Sequence, residues 1–160
     1  MILRILVVSD THRNESMLRR AVKAQPEAQL VLHLGDGVDD VDYVAREFYR
    51  KSFVCVAGNC DYASALPDTR TMTVEGKKIF MLHGHTKNVK FGNANAVYAA
   101  REAGADILLY GHTHEAFTDY IDGLYIMNPG SLGASYYPSY GIIDITPGGI
   151  MMNIVDAYAK

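Results

Sequence analysis

Cysteine is scarce: there are two, Cys55 and Cys60, in 160 residues. That is too few for a disulfide framework or an all-thiolate zinc site, and a reduced, cytoplasmic setting is the expectation. Long apolar runs are missing too. No stretch nears the 18 or so residues needed to cross a bilayer, so no membrane role is expected. The N-terminal run from Ile2 to Val8 carries Arg4 and passes straight into Ser9-Asp10, with no cleavage site behind it, so it is not expected to be a signal peptide. An excess of positive charge is also lacking. Fifteen Lys and Arg stand against 18 Asp and Glu, a net charge of −3, which suits a small-molecule substrate better than long DNA or RNA. Repeats, linkers and low-complexity tracts are absent, and the chain is read as one domain over residues 1–160. A homo-oligomer is left open.

What is present is an ordinary globular composition, 49% hydrophobic and 21% charged, ordered into alternating elements. Ile2 to Val8 reads as a buried strand. Met17, Leu18, Ala21 and Val22 then recur at helical spacing within Asn14–Ala24, and Pro26 ends that helix. Leu30 to Leu34 is a second strand. Val38, Val41, Val44, Ala45 and Phe48 mark a second helix, and Phe53 to Ala57 a third strand. Strand–helix–strand–helix–strand is the pattern of a parallel sheet with crossover helices. The second half is richer in strands. A hairpin is expected over Thr69–Val74 and Lys78–Leu82, and a helix over Asn93–Glu102 with Ala94, Val97 and Tyr98 inward. Strands then follow over Ile107–Tyr110, Phe117–Ile121, Leu124–Met127, Tyr140–Ile145 and Ile150–Val155.

The polar residues at the strand ends carry the chemistry. Strand one ends in Asp10-Thr11-His12, strand two in Gly35-Asp36 and strand three in Gly58-Asn59. Later strands end in His83-Gly84-His85 and Gly111-His112-Thr113-His114. The steps from Asp10 to Asp36, Asn59, His83 and His112 are 26, 23, 24 and 29 residues, each about one strand plus its return connection. Steps of that length bring parallel strand ends to one edge, where open α/β sheets bind ligands. Imidazole and carboxylate together suit zinc, manganese, iron, cobalt or nickel. Seven candidate ligands exceed the needs of one ion with water still bound, so two divalent ions fit the count better. The adjacent glycines permit the sharp strand exits such a site requires.

The ordered series Asp-x-His, Gly-Asp, Gly-Asn, His-Gly-His and Gly-His-x-His resembles the calcineurin-like metallophosphoesterase superfamily. Gly58-Asn59-Cys60-Asp61, Asn128-Pro129-Gly130-Ser131 and the compact length look most like its small bacterial and archaeal phosphodiesterases. The resemblance implies an α/β fold, a four-layer αββα sandwich of two mixed β-sheets flanked by helices. It implies Asp10, His12, Asp36 and His114 around one metal and Asp36, Asn59, His83 and His112 around the other, with manganese first among the candidates. It also implies attack on a small phosphodiester by a hydroxide held between the ions, with Asn59 contacting a phosphoryl oxygen.

Two departures from the family pattern concern the leaving group and the substrate. Many relatives carry a His as proton donor after Gly-Asn; here Cys60 stands there, and His85 is the alternative donor and a candidate substrate contact. Arg13 replaces a common Gly and either contacts the substrate phosphate bidentately or is a solvated residue before the helix. Several neighbours have plainer readings. His33 reads as a satisfied core residue, and Cys60 as a small buried packing residue beside the site. Asp61 and Asp39 read as carboxylates that orient histidine ligands, Asp39 equally as a helix N-terminal acid. Tyr136-Tyr137-Pro138 reads as pocket lining or as a loop packed on the sheet. Rival functions are a phosphomonoesterase of the same fold and a metal-binding scaffold without catalysis, like the superfamily's trafficking-complex subunit. The scaffold predicts eroded ligands, whereas all seven positions are intact.

Overall fold

A computed structural model describes residues 2–62 and 64–159. The described elements are β1 (Leu3–Val8), α1 (Glu15–Ala24), β2 (Leu30–His33), α2 (Val38–Glu47), β3 (Ser52–Cys55), β4 (Thr69–Val74) and β5 (Lys77–Leu82). Then come α3 (Ala94–Glu102), β6 (Ile107–Leu109), β7 (Phe117–Ile121), β8 (Leu124–Asn128), β9 (Ser139–Thr146) and β10 (Gly149–Asp156). Two single 3₁₀ turns, His85–Lys87 and Val89–Phe91, connect β5 to α3.

The strands form two five-stranded sheets, β10-β9-β1-β2-β3 and β4-β5-β6-β8-β7. In the first, β1, β2 and β3 are parallel while β9 and β10 are antiparallel additions. In the second, β5, β6 and β8 are parallel between antiparallel edges. Both sheets are mixed, as expected, and all six parallel strands end beside the candidate ligands or their supporting loops.

The alternation within each strand sorts side chains into three apolar layers. Ile5 and Val7 of β1 point between the sheets, with Ile79, Met81, Ile107, Leu109 and Ile143. Leu6 and Val8 point the other way, onto Leu18, Val22, Val41 and Val44 of the first two helices. Across the second sheet, Phe80, Leu82, Leu108 and Ile126 meet Ala96 and Ala100 of α3. Helices, sheet, sheet and helix thus make four layers. Removing each large aliphatic from water contributes about 1.5–3 kcal/mol, which is why a two-residue period fixes the sheet faces so firmly. Arg4 on β1 locks the register further by pairing Asp144 on β9 through two bonds of 2.9 and 3.0 Å.

One expected face is corrected. In α3, Ala96 and Ala100 face the sheet while Tyr98 is 66% exposed and Ala94 is exposed too. An alanine pair at i, i+4 lets the helix axis approach the sheet closely, and a tyrosine on that face would hold it off. The first helix keeps its expected face, Met17, Leu18, Ala21 and Val22, and Asn14 caps it by accepting from the Met17 N–H at 3.2 Å. Among the described residues, no helix is long and apolar enough to cross a membrane.

Candidate metal centre

Five of the seven candidate ligands leave strand ends in left-handed backbone. Asp10, His12, Asp36, His112 and His114 all have positive φ, between 44° and 70°. For non-glycine residues this left-handed region costs about 1–2 kcal/mol each, so surrounding contacts must hold it. The contacts are evident. Asp10 N–H donates to Gly35 O at 2.9 Å and His12 N–H to Asp36 O at 3.0 Å, tying the loop after β1 to the loop after β2. The carboxylate of Asp10 accepts the His112 N–H at 3.1 Å, which joins the two sheets at the site. Gly111 permits this approach, since a Cβ there would overlap Ser9 Oγ and lie 2.8 Å from Asp10 Oδ2.

Six of the seven expected ligands assemble into two groups. Asp10, His12 and His114 form one, and Asp36, His83 and His112 the other; within each, ligand atoms lie within 4.8 Å of one another. Asp36 Oδ2 is 3.2 Å from His83 Nε2 and 3.7 Å from His12 Nε2, so one carboxylate reaches both groups. The seventh residue, Asn59, is exposed at the rim, with its amide nitrogen 3.6 Å from Cys60 Sγ.

The donor chemistry fits divalent cations. His83 Nδ1 hydrogen-bonds the Leu34 carbonyl at 2.8 Å, so its proton sits there and Nε2 is the bare nitrogen of the neutral ring. That Nε2 faces His112 Nδ1 at 3.1 Å and the Asp36 carboxylate. Lone pairs turned toward one another in this way repel unless a cation or proton lies among them. In the first group, His12 Nε2 and His114 Nε2 stand 3.3 Å apart beside Asp10 Oδ1, which is 3.1 Å from the His114 nitrogen.

Electrostatics follow from the same crowding. Burial opposes ionisation of Asp10, yet bonds from His114 and His12 outweigh it and hold its carboxyl far below the usual range. Asp36 is also lowered, mainly by His83 against the cost of burial. Burial alone would depress His83, but the Asp36 and Asp10 carboxylates raise it. His112 goes the other way, pushed down to about 4 by burial and by neighbouring His83. The His112 ring is therefore neutral at neutral pH and keeps one nitrogen lone pair for a cation.

Other expected residues find their places. Arg13 is exposed at the mouth of a groove of about 520 Å³ that runs from His12, Asp36 and Cys60 past Tyr62. A second groove, about 480 Å³, starts at His114 and passes Glu115, Tyr137 and Pro138. His85 opens the first 3₁₀ turn, its ring 5.5 Å from that of His83, and its buried Nδ1 has no hydrogen-bond partner among the described residues. His33 is a core residue as expected, fully hydrogen-bonded and 1% exposed.

Two expectations are corrected. Cys60 is not buried packing; it is exposed and lies with His12 and Asp36 in a third donor group. Its backbone N–H donates to Asp36 Oδ1 at 2.8 Å, which pins the loop outward. Asp61 orients no histidine in the hydrogen bonds described. Its carboxylate instead accepts the backbone N–H groups of Asp36, Gly37, Val38 and Gly58.

Sequence reasoning left three supports unassigned. Ser9 Oγ donates to Asp10 Oδ2 at 2.5 Å, Ser131 Oγ to Asp10 O at 2.8 Å, and Asn128 Nδ2 to Thr113 Oγ1 at 2.9 Å. The signal available for the last two was the Asn128-Pro129-Gly130-Ser131 turn placed directly after a buried strand.

Comparison with known proteins agrees with this geometry. The calcineurin-like phosphoesterase superfamily domain matches residues 3–148. The probable metallophosphoesterase YsnB of Bacillus subtilis is 35% identical over 129 residues, covering 80% of this chain and 74% of YsnB. Phosphodiesterase MJ0936 of Methanocaldococcus jannaschii is 25% identical over 162 residues, covering 89% of this chain and 93% of MJ0936. A Streptococcus pneumoniae protein described as a predicted phosphoesterase shares the fold, with a TM-score of 0.83 and 22% identity over 98% of this chain and 91% of its own. Ligand groups at the common edge of two mixed sheets, and a match along nearly the whole chain, place it in the calcineurin-like phosphoesterase superfamily, within the branch of small proteins that includes YsnB and MJ0936.

Proposed function

We propose that this chain is a binuclear metal-dependent phosphodiesterase that hydrolyses small phosphodiesters. The observation that carries the reading is the pair of donor groups, Asp10/His12/His114 and Asp36/His83/His112, with the Asp36 carboxylate within reach of both. Two divalent ions, manganese foremost and nickel, iron, zinc or cobalt as alternatives, supply Lewis-acid charge and acidify a coordinated water when bound there. Asp36 would be the carboxylate shared by the two ions, and Asn59 would complete the second ligand set from the rim.

The remaining residues handle the substrate. Arg13 offers two parallel N–H donors to a phosphate oxygen pair at the mouth of the first groove. Asn59 and His85 approach the phosphoryl group from the other strand ends. Two candidates can protonate the leaving oxygen, His85 and Cys60. Partial desolvation against the loop and the nearby Asp36 charge push the Cys60 thiol up, so it keeps its proton at neutral pH. A diester suits the surface better than a monoester, because grooves leave the site on both the His12 and the His114 sides and so give each ester arm a path. The net charge of −3 gives long nucleic acid no electrostatic footing, and two free thiols accord with a reducing cytoplasm.

The test is turnover of bis-p-nitrophenyl phosphate and p-nitrophenyl phosphate by manganese-loaded protein, beside Asp36→Asn. Faster diester cleavage and a loss of at least about 100-fold in the variant are expected, in line with removal of a shared metal ligand. Absence of turnover on both substrates, or an unaffected variant, overturns the enzyme reading; faster monoester cleavage overturns the diester one.

A further inference from the structure

Beneath the metal-binding groups lies a buried polar chain to which the mechanism assigns no role. Thr11, His33 and Asp40 are 0%, 1% and 7% exposed. Gly35 N–H donates to His33 Nδ1 at 3.0 Å, so the ring proton is on Nε2. From there His33 donates to Thr11 Oγ1 at 3.0 Å, and the Thr11 hydroxyl donates to Asp40 Oδ2 at 2.5 Å. The Thr11 hydroxyl also lies 3.3 Å from the Gly37 carbonyl, but the shorter bond is to Asp40, so the chain runs in one direction from His33 through Thr11 to Asp40.

Its ends define its use. Thr11 sits between Asp10 and His12 in the loop after β1, and Gly35 precedes Asp36 in the loop after β2. Asp40 belongs to the first turn of α2, directly after that second loop. The chain therefore braces the two loops that supply three of the candidate ligands, from below and away from solvent. Gly37 accommodates it, since a Cβ there would overlap Thr11 Oγ1 and lie 2.9 Å from Asp40 Oδ2. A buried hydroxyl that were merely satisfied needs one partner; this one joins a histidine and a carboxylate from separate elements.

We infer that Thr11, His33 and Asp40 are positioning residues, which set the spacing between the loops after β1 and β2 and thereby the fit of the two metal-binding groups to each other. The inference rests on the binuclear reading above. Asp36 must reach His12 as well as His83, and those atoms belong to three different strand ends. Loosening the brace lets Asp36 serve its own group, with His83 and His112, while losing reach to the other. One ion then still binds well and the second binds poorly.

Calorimetric titration with MnCl₂ and Mn(II) paramagnetic resonance test this on the whole chain. The parent protein is expected to take up two ions and show the signal of a coupled pair. Thr11→Val, which keeps the shape and removes the hydroxyl, should retain one ion and weaken the second about 10- to 100-fold, with loss of the coupled signal. Thr11→Ser, which restores the hydroxyl, should recover both to within about threefold. If Thr11→Val does not fold, His33→Asn shortens one link and leaves the Thr11–Asp40 bond; it should weaken the second ion in the same direction. Uptake of both ions at parental affinity by the first folded variant in that order overturns the inference, as does a Thr11→Ser protein as impaired as Thr11→Val. A parent that binds no ion, or one, overturns the binuclear reading first and this inference with it.

Discussion

Replacing Asp61 by Asn changes one atom and tests how the loops around Asp36 are held. The Asp61 carboxylate accepts four backbone N–H groups: Asp36 and Gly58 at 2.7 Å on Oδ2, Gly37 and Val38 at 2.9 and 3.2 Å on Oδ1. Those donors are the loop after β2, the open N-terminus of α2 and the loop after β3. Gly37 offers α2 no side-chain cap, so Asp61 caps it from another element, where the helix dipole also favours a negative charge. An asparagine has one acceptor oxygen and turns an NH₂ toward the other two donors. Two charge-assisted bonds are lost, each worth about 1.5–3 kcal/mol when buried. Asp61 is only half-buried and water can replace part of that, so the lower end applies, about 3 kcal/mol in all. Alanine removes all four bonds but admits water, and should cost about 3–5 kcal/mol. Urea unfolding of the metal-free protein measures both. Diester turnover should fall as well, because Asp36 and Asn59 lose their anchor together. A loss under about 1 kcal/mol for Asp61→Asn, with turnover within twofold of the parent, would refute the clamp.

Other outcomes follow from the same structure. Burial pushes the His33 pKa down to about 4 from 6.5. A histidine held neutral stabilises the fold fully above pH 6.5, and that contribution is lost as pH falls toward 4. At about 1.36 kcal/mol per pKa unit the loss is about 3 kcal/mol. Urea midpoints at pH 7 and pH 4.5 should therefore differ more in the parent than in His33→Asn. Gly111→Ala should weaken Mn(II) binding and cost about 1–3 kcal/mol, because its Cβ enters the space of Ser9 Oγ and Asp10 Oδ2; titration calorimetry with urea unfolding checks it. Manganese at about 100 times its dissociation constant should stabilise the chain by about 2.7 kcal/mol per ion, read as a rise in thermal midpoint that a chelator reverses. For the proton donor, alkyl leaving groups should suffer more than p-nitrophenol when the donor is removed. That selective loss in His85→Ala assigns the role to His85, and in Cys60→Ser to Cys60.

Much of the architecture was legible because it is local. The two-residue period of β1 sends Ile5 and Val7 to one layer and Leu6 and Val8 to another, and the spacing of Met17, Leu18, Ala21 and Val22 fixes the face of α1. The helical face of α3 was not legible in the same way. Alanine and tyrosine are both tolerable inside, and only the short distance to the second sheet selects Ala96 and Ala100. Asp61 and Cys60 escaped for a related reason. Close to Asn59 in sequence, both read as site chemistry or packing, yet the Asp61 carboxylate accepts the Asp36 N–H and the Cys60 N–H donates to the Asp36 carboxylate, more than twenty residues away. The buried chain through Thr11, His33 and Asp40 was half visible, as a satisfied core histidine without its partners.

By itself the sequence determined which residue types end each parallel strand, and so which side chains share an edge: carboxylates and imidazoles at steps of one strand plus its return. Periodicity and chain length are enough for that, since a parallel crossover leaves little choice of where the next strand end falls. Only the tertiary structure decided how those side chains divide into two groups, that Asp36 reaches both, and which backbone N–H groups hold them in left-handed turns. These depend on distances of 3–4 Å between loops of two different sheets. The packing of the apolar layer between the sheets sets such distances, and no local pattern encodes it.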